Sequence, residues 1–301
     1  MTYMKYRNLV VFLVLFISVS TGLSQNIPVL RFGLIADVQY CNCDTNGTRF
    51  YRNSLSKLES AVTDLNNQQV EFTINLGDLV DRNPEDLDAV VDRQKLLNSK
   101  VYNTLGNHDY EGVDDNKKLY KKLGLRNDYY SFKKRGWRFI VLNTNEVASY
   151  SNIRGTSKEQ ELTIMLDNIR KRNGNNGKAW NGGISGRQME WLKKLLQNAD
   201  KKNENVLIFT HHPLYPAEGY TALNDVEILE TISLFSNVRG VISGHHHVGA
   251  YGVYKGIPCI TLEGMVETEK ENAYAVVDIY EGKLVITGMN RAKSYEFDII
   301  P

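Results

Sequence analysis

Three cysteines in 301 residues, a formal net charge of +1, and neither an internal repeat nor a low-complexity stretch narrow the field before any motif is read. Near-neutrality leaves no whole-protein field to select nucleic acid or an acidic membrane, so any attraction for an anion has to be local. The cysteines are too few for a thiolate metal site. Cys41 and Cys43 make a local pair with no second pair to join them, and loop packing is their expected role. Separated by one residue, they are not expected to bond each other; in an oxidising compartment either is free to pair with Cys259. Long apolar runs are also scarce. Residues 9–19, interrupted only by Ser18, are too short for a confident membrane span. Lys5 and Arg7 precede that run and small or polar residues 20–25 follow it. This is the layout of a secretory signal peptide over 1–24, with a retained signal anchor as the rival reading. The expected product is one domain, 25–301, exported to a periplasmic or extracellular space, and without a lipid anchor because no cysteine sits at the cleavage region.

What is present is ample core material: 42% apolar and 24% charged residues. Apolar runs over 29–36, 70–76, 101–105, 137–142, 206–210, 238–243, 257–262, 273–279 and 283–288 have the length and branching of buried strands. Leu55, Leu58, Val62 and Leu65 share a helical face after the first run, with Ser54 as a candidate N-cap. Leu87, Val90, Val91, Gln94 and Leu97 follow the second. Met189, Leu192, Leu195 and Leu196 define another helix behind a candidate cap at Ser185. The first half therefore reads β-α-β-α-β, an α/β class with right-handed crossovers. Tyr280-Glu281-Gly282 marks a late hairpin, and 172–183 reads as a loop.

Short polar clusters close five of these runs. They are Asp37-Val38-Gln39, Gly77-Asp78-Leu79-Val80-Asp81, Gly106-Asn107-His108-Asp109, His211-His212-Pro213 and Gly244-His245-His246-His247, with Glu263-Gly264 a weaker sixth. In open α/β sheets ligands gather beyond the carboxyl ends of strands. One strand-end Asp or Asn means little; five such ends rich in carboxylate, amide and imidazole suit two divalent metal ions. Such ions, about 3.5–4 Å apart, repel and need a bridging anion. Asp78 is the candidate bridge, with Gly77 permitting a tight backbone approach. Period-two alternation places Asp37 and Gln39 on one side of an extended segment, and His245 with His247, while His246 turns away. Asn107 adds an amide oxygen and His211 an imidazole. The two ions bring four positive charges and Asp37 and Asp78 remove two, so the remainder favours a phosphate-type anion. Asp81 reads equally as a turn carboxylate or as support behind the ligands. Asp109 reads as an orienter of a histidine or a turn cap, His212 and His246 as packed or exposed neighbours, and Glu263 as structural or supporting.

This order of motifs resembles the calcineurin-like metallophosphoesterase superfamily, whose pattern is Asp-x-His, Gly-Asp-x-x-Asp, Gly-Asn-His-Asp/Glu, a histidine before x-Pro, and Gly-His-x-His. The match runs from about Arg31 to the last hairpin, and one residue departs from it: Gln39 stands where histidine is usual. Glutamine there resembles the manganese-dependent ADP-ribose/CDP-alcohol diphosphatase family. Ile35-Ala36-Asp37-Val38-Gln39-Tyr40, Arg49-Phe50-Tyr51-Arg52-Asn53-Ser54-Leu55, Asn181-Gly182-Gly183-Ile184-Ser185, Trp191-Leu192 and Leu262-Glu263-Gly264-Met265-Val266-Glu267-Thr268 support that narrower likeness. The resemblance implies a four-layer α/β/β/α sandwich with a dinuclear site at the strand C-terminal rim. It implies Asp37, Gln39, Asp78 and His247 around one ion, and Asp78, Asn107, His211 and His245 around the other. His108, beside Asn107, is the implied catalytic residue at the substrate phosphate. An amide oxygen in place of an imidazole is a harder donor, which agrees with a preference for Mn²⁺ in a site for two divalent ions, Fe and Zn being the alternatives.

The implied reaction is hydrolysis of a phosphoanhydride: ADP-ribose to AMP plus ribose 5-phosphate, and CDP-alcohols to CMP plus a phosphoalcohol. Arg49 and Arg52 are candidates for the distal phosphate, or surface residues of an early helix turn. Tyr40, Phe50, Tyr51 and Tyr215 suit a base stack or a core equally, and no base reader is assigned. The expected partner is a small nucleoside diphosphate compound, with no nucleic acid and no stable membrane contact after signal removal. Oligomeric state is not legible. The alternatives are a broader phosphodiesterase or phosphomonoesterase of the same superfamily and, in another class, a secreted metal-binding module without catalysis.

Overall fold

A computed structural model describes residues 27–299, and the expected signal segment 1–24 lies outside the described residues. The opening unit is β1 (Leu30–Ile35), α1 (Asn53–Asn67), β2 (Phe72–Asn75), α2 (Leu87–Gln94) and β3 (Lys100–Asn103), with β1, β2 and β3 parallel. Next come α3 (Asn116–Lys122), the antiparallel pair β4 (Tyr130–Lys134) and β5 (Trp137–Val141), α4 (Ser157–Lys171), α5 (Gly186–Lys201), β6 (Asn205–Phe209), α6 (Asp225–Ile232) and β7 (Val238–Ser243). The chain ends with β8 (Ala250–Tyr254), β9 (Ile257–Thr261), β10 (Ala273–Ile279), β11 (Lys283–Asn290) and β12 (Tyr295–Asp298). The strands form two sheets in the orders β12-β11-β10-β1-β2-β3 and β4-β5-β6-β7-β9-β8.

Three buried layers hold the sheets and helices together. Phe32, Phe72, Phe139 and Phe209 lie between the sheets with Leu34, Ile74, Leu207, Ile242, Val277 and Ile286. Their rings meet in the offset and edge-on geometries that aromatic quadrupoles favour, Phe32 stacking on Phe72 at 4.8 Å and meeting Phe139 edge-on at 5.8 Å. Leu58, Val62 and Leu65 of α1 and Val90 of α2 cover the outer face of the first sheet, against Ile35 and Val276. Leu192 and Leu196 of α5 and Ile228 of α6 cover the second, against Ile140, Ile208 and Val241. The result is the four-layer α/β/β/α sandwich. Its nine sequence-expected strands are present with boundaries shifted by a few residues. The strands not expected, β4, β8 and β12, all lie at sheet edges.

Two local expectations are corrected. Ser54 lies inside α1, completely buried and without a capping bond; the helix begins at Asn53, behind the turn from the Asn53 N–H to the Phe50 carbonyl. Ser185 does cap α5, accepting from the Gln188 N–H. Cys41 and Cys43 are joined to each other, because the chain bends after Cys41 and keeps the two Cα atoms 5.1 Å apart, within disulfide reach. Cys259 is buried and free.

Candidate metal centre

The carboxyl ends of β1, β2, β3, β6 and β7 meet along one rim, and the turns there carry Asp37, Asp78, Asn107, His211 and His245. The backbone in these turns is unusual. Asp37 (φ 51°), Gln39 (φ 40°), Asp78 (φ 53°) and His245 (φ 69°) are all left-handed. Such conformations cost about 1–3 kcal/mol each and persist only where surrounding contacts over-determine them. The period-two argument for Asp37 with Gln39 and for His245 with His247 is therefore corrected: these pairs converge through left-handed turns, not along extended strands. The turns are well braced. Asp37 N–H donates to the Gly77 carbonyl (3.2 Å) and Gln39 N–H to that of Asp78 (2.8 Å). Asp109 orients no histidine; its carboxylate accepts the N–H groups of Asp78, Leu79 and Gly106 at 3.1, 2.7 and 2.9 Å. Glycine is obligatory at 106, where a Cβ would overlap the Asp78 carboxylate.

Lone pairs crowd one pocket. His211 Nδ1 lies 2.8 Å from the Leu76 carbonyl, an acceptor, so the ring carries its proton there and Nε2 is bare. His245 Nε2 lies 3.1 Å from Asn181 Oδ1, whose amide nitrogen donates to two carbonyls, so His245 donates from Nε2 and Nδ1 is bare. The two bare nitrogens are 3.2 Å apart, with Asn107 Oδ1 at 3.1 Å and Asp78 Oδ2 at 3.4 Å from His211 Nε2. Four electron-pair donors facing one another in a buried site fit a cation and are costly without one.

A second pocket adjoins it through Asp78 Oδ2, which also lies 2.9 Å from Gln39 Nε2. Gln39 Oε1 is buried without a partner. His247 Nδ1 meets Glu267 Oε1 at 2.7 Å, so Nε2 is the bare nitrogen, 3.6 Å from Asp37 Oδ1. That carboxylate–imidazole contact holds the Glu267 pKa at about 2 even though burial opposes ionisation. Both pockets seek positive charge. Burial pulls the His211 pKa down, yet Asp78 and Asp37 overcome it and lift it to about 9, so at neutral pH Nε2 holds either a proton or, in its place, a cation. His211, His212 and His245 also cluster, but His212 has both nitrogens engaged, with Thr144 Oγ1 (2.8 Å) and the Trp180 carbonyl (3.1 Å), and its burial lowers its pKa to about 3. It is a packed residue.

A cavity of about 510 Å³ opens over the two pockets, lined among others by Arg49, His108, Glu111, Trp180 and Tyr220. His108 Nδ1 faces Glu111 Oε1 at 2.9 Å and Asp81 Oδ1 at 3.3 Å, which leaves Nε2 for the cavity. Burial opposes its protonation, but Asp78 and Glu111 raise its pKa to about 9. Asp81 thus stands behind His108, held by Arg82 at 3.0 Å. Arg49 reaches the cavity, 3.9 Å from Glu267. Arg52 does not: it is exposed and paired with Asp44 at 2.8 Å. Tyr40, Phe50, Tyr51 and Tyr215 are absent from the cavity lining. Glu263 is buried below the rim, near the Lys293 N–H. Sequence reasoning missed Asn181 and Glu267 as partners of the candidate ligands His245 and His247, though both sit in stretches that carried the narrower resemblance. It also missed Lys57, whose buried ammonium donates to the Met265, Glu267 and Thr268 carbonyls and so fixes the Glu267 loop.

A sandwich of this kind with paired donor pockets sharing one carboxylate defines a dinuclear metal-dependent phosphohydrolase. The calcineurin-like phosphoesterase family model matches residues 30–249, and the chain belongs to that family. It is 29% identical over 313 residues to a manganese-dependent ADP-ribose/CDP-alcohol diphosphatase of Arabidopsis thaliana, covering 92% of this chain and 99% of the relative. A Homo sapiens protein of the same name is 28% identical, with 87% and 91% covered. A dimetal phosphatase structure from Danio rerio superposes with a TM-score of 0.82 at 26% identity, covering 91% of this chain and all of that one.

Proposed function

We propose that this chain hydrolyses the phosphoanhydride of ADP-ribose, CDP-alcohols and related nucleoside diphosphate compounds. Asp37, Gln39, Asp78 and His247 hold one divalent ion, and Asp78, Asn107, His211 and His245 hold the other. When bound, the ions draw charge from the phosphoryl oxygens and make a water nucleophilic at neutral pH. The chain's own residues do the rest. His108, its Nδ1 held by Glu111, donates from Nε2 in its protonated form to the departing phosphate oxygen. Arg49 meets the distal phosphate at the cavity mouth. Asp81 and Glu111 fix the His108 ring. Gln39 carries the reading: its amide lies against Asp78 and its oxygen is buried without a partner, so it is available to complete a set of mostly oxygen donors, which suits Mn²⁺ over softer ions, and the relatives of similar length are named for manganese and for these substrates.

The test is a substrate panel with Mn²⁺: ADP-ribose, CDP-choline, a cyclic nucleotide and an aryl phosphate ester. Release of AMP and CMP well ahead of the other two products supports the proposal; preference for monoesters or cyclic nucleotides replaces it with the broader phosphoesterase reading. Loss of activity in His108→Ala with metal content retained separates an enzyme from a metal-binding module. The basic and apolar residues 5–19 further support export and removal of the N-terminal segment. Mass spectrometry of mature protein beginning near residues 20–25 is the expected result, and an intact cell-associated N-terminus contradicts it.

A further inference from the structure

We propose that Trp180 and Tyr220 form a stacking subsite for the base of the nucleotide, one that does not discriminate purine from pyrimidine. The inference rests on the reading of the substrate as a nucleoside diphosphate. Both residues line the same cavity as the metal pockets, and both remain unusually open for large aromatics, at 46% and 38% exposure. They are not loosely held. The Trp180 carbonyl accepts from His212 Nε2, and His212 Nδ1 accepts from Thr144 Oγ1. Asn181 ties the two loops together: its amide nitrogen donates to the Gly219 carbonyl at 3.0 Å, beside Tyr220, while its oxygen accepts from His245. His246 stacks on one face of Tyr220 at 4.4 Å and 28°, and the ring keeps its open area elsewhere.

The cavity is therefore polarised. Arg49, His108 and the candidate ligand cluster make one part charged, and two open rings make another part flat and apolar. A molecule with phosphates at one end and a planar base at the other matches it; an alkyl or sugar phosphate matches only the first part. With the two loops tied together and Tyr220 backed by His246, less order has to be imposed when a base stacks there. The polar side chains at the cavity floor, Gln39 and Asn107, are turned to the metal pockets, so no lining amide is left to read base edges. Stacking without edge readout accepts any base, since every base has a π-face.

The test uses Mn²⁺-loaded protein as wild type, Trp180→Ala, Trp180→Phe and Tyr220→Ala. Of the three tryptophans, Trp137 is buried in the core and Trp191 lies outside this cavity, so Trp180 is the fluorescent reporter. AMP and CMP should quench its emission and ribose 5-phosphate should not. By calorimetry both alanine variants should bind AMP and CMP about tenfold more weakly, to similar extents for the two bases. Trp180→Phe, which keeps a ring, should retain most of the affinity and lose the quench. The kcat/KM ratio of ADP-ribose to a base-free diphosphate diester should fall in step. If ADP-ribose is not cleaved yet AMP still quenches Trp180, the function reading fails and the subsite stands. Unchanged AMP affinity in the alanine variants, or an equal loss for ribose 5-phosphate, overturns the subsite.

Discussion

The two donor pockets share Asp78 but are built on different electrostatics. Around Asn107, His211 and His245 the outer partners are neutral: the Leu76 carbonyl for His211 and the Asn181 amide for His245. Around Asp37, Gln39 and His247 there is a second carboxylate among the donors, and His247 leans on a third, Glu267. A carboxylate behind an imidazole raises its basicity, and each extra negative charge strengthens the hold on a divalent ion. The Asp37 pocket is accordingly expected to hold its ion more tightly, with the Asn107 pocket filling last and emptying first. Strain follows the same division less sharply: Asp37, Gln39 and Asp78 are left-handed on one side, and His245 with the shared Asp78 on the other.

Removing what the pockets share should have the largest effect. Asp78→Asn takes away the shared negative charge and one of its two oxygens, so both ions should be held more weakly. Losing several kcal/mol of charge stabilisation, at about 1.36 kcal/mol per decade, lowers kcat/KM on the order of 10³-fold or more; metal analysis should find fewer than two ions per chain, with folding preserved by circular dichroism. Single-pocket changes come next. Asn181→Ala and Glu267→Gln each remove one outer partner and should weaken one ion by about 10–100-fold, the first in the Asn107 pocket and the second in the Asp37 pocket. Equal weakening of both ions by either variant would erase the distinction. Gln39→His is a smaller, qualitative shift: it exchanges an amide oxygen for an imidazole, and the ratio of Zn²⁺-supported to Mn²⁺-supported activity should rise several-fold. Unchanged ratios would show that Gln39 does not select the metal. Smallest at the site, Lys57→Met frees three carbonyls under the Glu267 loop. Unfolding should cost about 1–3 kcal/mol less, read as a lower denaturation midpoint, with only a modest loss in the Asp37 pocket.

The sequence made the parallel strands legible because burial on both faces leaves continuous apolar runs, as in Phe32–Ala36 and Val206–Phe209. The strands it hid, β4, β8 and β12, are edge strands whose alternate positions reach solvent, such as Lys133, Tyr251, Val253 and Glu296. Helix α4 went unread because few of its residues are buried, Met165 and Ile169 among them. At the site, the candidate ligands were readable because their clusters follow the carboxyl ends of strands that the apolar runs had already marked. Asp37 and Gln39 were paired for a reason that fails, since left-handed turns rather than strand alternation bring them together. Arg52 was misplaced because motif proximity does not give side-chain direction. Asn181, Glu267 and Trp180 lie in loops without periodicity, where only the folded chain shows what touches what.

A calorimetric Mn²⁺ titration of metal-free wild type beside Asn181→Ala bears most directly on the claim of two unequal donor pockets that share Asp78. The account predicts two ions per wild-type chain in two resolved steps, with Asn181→Ala weakening only the second step. One ion per wild-type chain, or a loss confined to the first step, would contradict it.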